Sequence, residues 1–256
     1  MQRLILLLLF AEFGVNPAYA QQQRPDHLMP EDSLLTDGSS NVFSMSIRRY
    51  NELITDFLAD GYARDVSLRA LVIPAFSPEN LVGLRHANIE GGDDHRVFYL
   101  RPTIPLGGYA ALYIWSSDAV YFNDPKDRTD EVERLKSRLP ADPKDVPLTR
   151  CERPLDAAVA EQVSAAWIGV LLETRYLPAD NTIGRDGVTY HFWAASPPSH
   201  ISPPRFLAGQ SWSPPRDSKP GRLAELAETL VRYCDGKTEA AELERQAGAL
   251  AQKLDK

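Results

Sequence analysis

His86, Glu90, Asp93, Asp94 and His95 fall within ten residues, and imidazole with carboxylate is a ligand set for zinc or a similar ion. Between them, however, Gly91-Gly92 reads as the tip of a hairpin, and such tips are commonly acidic because they are solvated. The residues read more simply as that tip, so no metal site is assigned. Gly209-Gln210-Ser211-Trp212-Ser213 has part of the pattern of a serine nucleophile elbow but lacks its last glycine, and it falls in a strand rather than a strand-to-helix turn. His191 reaches Ser211 as a base only if the pairing of their strands sets the two side by side. Gly91-Gly92 and Gly107-Gly108 lack the Lys, Ser or helix start that a phosphate cradle needs, and no cofactor is implied.

A third group suggests binding rather than catalysis. Val188 to Ala194 (VTYHFWA) has the pattern of a strand, and alternation sends Thr189, His191 and Trp193 to one side and Tyr190 and Phe192 to the other. A single helix layer covers only one of those sides. With Gln210 and Trp212 from the next strand and Arg175 at the end of the preceding helix, the His191 side forms an aromatic and polar platform. His191, Trp193, Trp212 and Arg175 are therefore the candidate binding residues, for a glycan, a peptide or a protein. The competing reading buries Trp193 and Trp212 in the core, where large aromatic side chains usually sit. Trp167, on the apolar stripe of its helix, is a core residue.

The elements that must position these groups are legible in part. Residues 21 to 43 are rich in Gln, Pro, Asp and Ser without a period and read as a flexible leader. A helix follows with Ile47, Tyr50, Ile54, Phe57 and Leu58 at helical spacing, ended by Asp60-Gly61. Val66–Ile73, Leu81–Arg85, Arg96–Arg101 and Tyr109–Trp115 read as strands, and their short connections favour antiparallel meander pairing. A short helix near Thr129–Leu139 closes a β-rich segment spanning 44–140.

Residues 146–236 read as β-α-β-β-α. An extended piece leads to a helix opened by Asp156, with Val159, Val163, Ala166, Trp167, Val170 and Leu171 on one stripe. Two strands and a helix opened by Ser218 and Pro220 follow. A last helix, 238–254, carries Ala240, Leu243, Ala247, Leu250 and Leu254 at alternating three- and four-residue steps. That seam suits docking on its own domain better than a homodimer contact. The expected fold is α+β, with antiparallel meander and hairpin strands, helices packed on one face, and one disulfide.

The chain's start sets the compartment. Arg3, the apolar run Leu4–Ala11, helix breakers and Ala18-Tyr19-Ala20 make up a secretory signal cut after Ala20, which points to the periplasm or the exterior. No later stretch is apolar enough to span a membrane. In an oxidising compartment the two cysteines, Cys151 and Cys234, are expected to be bridged. A net charge of −7 argues against nucleic acid and anionic membrane as partners. With no complete catalytic motif, the sequence favours a binding or interaction protein; the alternative is a small exported hydrolase using His191 with Ser211 or a metal at His86 and His95.

Overall fold

The computed structural model describes residues 26–31, 42–89, 92–116, 125–176, 187–195 and 206–255. The export signal read at 1–20 lies outside them, as do Glu90 and Gly91 of the acidic tip and the proline-rich stretch 196–205.

Strands β1 (Val66–Pro74), β2 (Asn80–Ile89) and β3 (Gly92–Pro102) form the expected antiparallel meander. β4 (Leu148–Leu155) adds to β3, while β5 (Val188–Ala195) returns to pair with β1 and carries β6 (Phe206–Trp212) beside it. The result is one six-stranded sheet in the order β4-β3-β2-β1-β5-β6, antiparallel throughout. Strands from both sequence halves thus belong to one sheet.

Alternation decides what each face buries. Leu68, Ala70, Val82, Leu84, Val97, Tyr99, Tyr190 and Phe192 meet three helices, α4 (Ala157–Leu172), α5 (Lys219–Cys234) and α6 (Ala240–Leu254). Trp167 of α4 is fully buried there, edge-on to Phe192 with ring centroids 5.4 Å apart. Asp156 accepts a hydrogen bond from the Ala158 backbone N–H and Ser218 accepts one from Gly221, so both helix starts are capped as the sequence implied. The seam of α6 is spent inside the domain: Leu243, Ala247 and Leu250 are buried against the same core, with α6 lying on α4 and α5. Cys151 on β4 and Cys234 at the end of α5 form the disulfide, with Cα atoms 5.9 Å apart. Among the described residues no helix is long and apolar enough to cross a membrane.

The opposite face packs Leu81, Phe98 and Leu100 under α1 (Val42–Phe57), through Ile54 and Leu58. Beside α1 lies α2 (Gly107–Ser116), where the sequence suggested a strand over Tyr109–Trp115. The reason is a contact no local pattern contains. Glu79, just before β2, is almost fully buried and accepts hydrogen bonds from the backbone N–H groups of Leu106 (2.8 Å) and Gly107 (3.0 Å). Those are donors that a helix start leaves unpaired, and a carboxylate there favours the helix over the extended form. A further helix, α3 (Pro125–Lys136), follows α2.

The leader is also corrected in part. Residues 26–31 are tied to the domain: Leu28 is fully buried in the core and Met29 exchanges backbone hydrogen bonds with Gln210 at 2.9 and 2.7 Å. This segment covers the free edge of β6, which would otherwise expose unpaired N–H and C=O groups. Gly209 permits it, since a Cβ there would stand 2.8 Å from the Thr174 hydroxyl and 2.9 Å from the Leu28 Cβ. Composition did not show this anchoring because only the short run around Leu28 is apolar.

His27 travels with the anchor and is buried, which pulls its pKa below the ordinary 6.5; neighbouring Arg175 acts in the same direction, partly opposed by Asp26 and Glu173. The folded state therefore prefers neutral His27. Its contribution is complete above about pH 6.5 and is lost as the pH falls through the lower folded-state value, because the unfolded chain then binds the proton first. Denaturant midpoints measured from pH 8 down to pH 5 are expected to fall less steeply in His27→Gln than in the parent. An identical slope in the two proteins would show that His27 does not contribute.

Candidate functional site

The face turned away from α4, α5 and α6 is not covered along its whole length. Where β1 meets β5, register pairs Arg69 with Trp193, Leu71 with His191 and Ile73 with Thr189, all on that face. On one side α1 brings Asn51, Ile54 and Thr55, and on the other Glu31 follows the anchored leader; between them lies a cavity of about 210 Å³. Gln210, opposite His191, donates from its side-chain amide to the carbonyls of Pro30 (3.1 Å) and Glu31 (3.4 Å). That holds Glu31 over the cavity, with its carboxylate 3.6 Å from the His191 Nδ1.

Side chains along one wall are stacked. The Arg69 guanidinium lies 4.4 Å from the ring centre of Tyr62 and 4.0 Å from that of Trp193. Phe206 stacks on Trp193 at 5.5 Å, although it is itself 64% exposed. A cation between two aromatic faces is attracted by both ring quadrupoles, more so where water is excluded. Burial pushes the Tyr62 phenol above its ordinary pKa, against the pull of Arg69. Burial also pulls the Arg69 guanidinium below its ordinary value, partly offset by Tyr62 and Glu31.

No protein-family model, curated protein or solved structure matches the chain. The site is thus defined by its own geometry.

Of the four residues singled out from sequence, two come together here. His191 and Trp193 both line the cavity. Trp212 is opposite Thr189 on the same face but packs near Gly187, away from the cavity lining. Arg175 is exposed beside the anchored leader, its backbone N–H donating to Leu28, and it does not line the cavity either. Arg69, Tyr62 and Glu31 escaped sequence reading. A pairing of β1 with β5 across more than a hundred residues would have exposed Arg69, which otherwise reads as the solvated position of an alternating strand.

The strand register bears directly on two other arrangements. Gln210, not Ser211, stands opposite His191; Ser211 pairs with Tyr190 and is buried on the other face of the sheet. A His191–Ser211 dyad is therefore not formed. His86 and His95 do face each other across β2 and β3, with ring centroids 4.8 Å apart. Asp94 is engaged by Arg96 at 2.8 Å, and among the described residues no three His, Cys, Asp or Glu side chains are placed to hold an ion.

Proposed function

We propose that this chain is an exported binding protein whose ligand enters the cavity between the β1–β5 face and α1. The observation that carries the reading is the convergence of His191 and Trp193 with Tyr62, Arg69 and Glu31 on a cavity beside a helix. Binding sites combine apolar and aromatic walls with a few directed polar groups, and this one has both. Leu71, Ile73 and Ile54 supply apolar surface, while Asn51, Thr55 and His191 supply hydrogen-bonding groups. The disulfide supports the exported half of the proposal, since such bonds persist in oxidising compartments. The reading order of residues 1–20 supports it from the other end of the chain.

The test is a ligand screen on the chain from Gln21 onward, followed by nuclear magnetic resonance shifts of the Trp193 indole and the His191 ring. A ligand found this way should bind roughly 10- to 100-fold more weakly to Trp193→Ala, the range expected when a contacting aromatic anchor is removed. His191→Ala should weaken it by a smaller factor. Undiminished affinity in both variants would place the ligand elsewhere and end the proposal.

A further inference from the structure

We propose that the cavity recognises its ligand through a carboxylate, held edge-on by Arg69, on a small molecule with an apolar body. This rests on the binding reading above and narrows its ligand class. The Arg69 guanidinium carbon lies over the rings of both Tyr62 and Trp193, 4.4 and 4.0 Å from their centres. The N–H donors of a guanidinium point outward in its own plane as a rigid fork. A planar group with two acceptor oxygens is the shape that fork matches.

The protein does not itself supply that group among the described residues. Arg69 has no carboxylate within ion-pairing distance and no hydrogen-bond acceptor there, which sets it apart from other half-buried arginines. Arg85 lies 3.3 Å from Asp60 and 3.4 Å from Glu152. Arg153 stacks on Tyr233 much as Arg69 does, yet it donates to the Tyr233 carbonyl at 2.8 Å and lies 3.5 Å from Glu239. A partly desolvated cation held rigid without an anion is costly unless a ligand completes it. The cavity's size and lining set the rest. At about 210 Å³ it is smaller than the roughly 300–1,000 Å³ of pockets for drug-sized molecules, and Leu71, Ile73 and Ile54 give it an apolar floor. Glu31, on the rim beside His191, disfavours a second negative charge, so a monoanion suits the site better than a phosphate dianion.

The experiment compares four probes of similar body: phenylacetate, its methyl ester, phenethylamine and phenyl phosphate. Each is titrated into the isotope-labelled chain from Gln21 onward at one ionic strength. Phenylacetate is expected to shift the Trp193 indole and His191 signals, and to bind at least tenfold more tightly than the ester and the amine. It should also bind more tightly than phenyl phosphate. Arg69→Gln should cost phenylacetate at least tenfold, and Arg69→Lys less. The charge series on the parent protein stands even if a variant fails to fold. Ester binding equal to acid binding at these signals would overturn the carboxylate while leaving the cavity as a binding site. Tighter binding of phenyl phosphate would overturn the monoanion preference. Silence of both signals with every probe would overturn the cavity reading together with this one.

Discussion

Replacing both cysteines by serine, Cys151→Ser with Cys234→Ser, is expected to lower the unfolding free energy by about 4–5 kcal/mol. The bridge closes a loop across a sequence separation of 83 residues. In the chain-entropy view it acts by restricting the unfolded ensemble, and the restriction grows with the logarithm of loop length. It also pins an edge. β4 is the outermost strand beside β3, and at that edge Arg153 donates to the Tyr233 carbonyl while Tyr233 donates to the Pro154 carbonyl at 2.7 Å. These bonds persist in the variant, so the fold should survive with a lower denaturant midpoint. Reductant added to the parent should reproduce the variant's midpoint and should leave the variant itself unchanged. A midpoint within error of the parent's would mean that contacts along β4 and α5 hold the unit without the bridge.

What the sequence made legible was what local pattern encodes. β6 appeared within its observed bounds, and α4 and α5 with their caps, because an alternating or helical stripe bounded by Asp156, Ser218 or a proline-rich stretch is decided by neighbours a few residues away. The assignment of His191 and Trp193 to a face opposite Tyr190 and Phe192 followed from the two-residue strand period alone. Which residues would join them did not follow. Arg69 reaches Trp193 because β5 pairs with β1 rather than with a sequence neighbour, and Glu31 reaches His191 because Gln210 holds a leader some 180 residues distant. Ser211 failed as a partner for the same reason: a one-residue difference in register places it on the opposite face. Long-range pairing order is the quantity that a single sequence conceals.

The same lesson gives the second large effect. Glu79→Ala is expected to cost roughly 3–5 kcal/mol, more than a surface carboxylate could account for, because it strands several donors at once. In the parent the buried carboxylate accepts from Leu106 N–H, from Gly107 N–H and from the Tyr50 hydroxyl of α1. Burial, reinforced by the carboxylate beside it, pushes the Tyr50 phenol well above its ordinary range, which keeps the hydroxyl a donor to Glu79. A hydrogen bond to a charged group contributes about 1.5–3 kcal/mol, and the change leaves one buried and two half-buried donors without their acceptor. Tyr50→Phe removes one donor together with its bond and should cost only about 1–2 kcal/mol. The decisive readout is local. Amide exchange at Leu106, Gly107 and Gly108 should accelerate in Glu79→Ala well beyond the global change, while β5 and β6 keep their protection. In Tyr50→Phe the Leu106 and Gly107 amides should stay protected, because their acceptor is intact. If Glu79→Ala instead loosens the whole sheet uniformly, the carboxylate is a general core contact rather than the group that turns a strand-like sequence into α2.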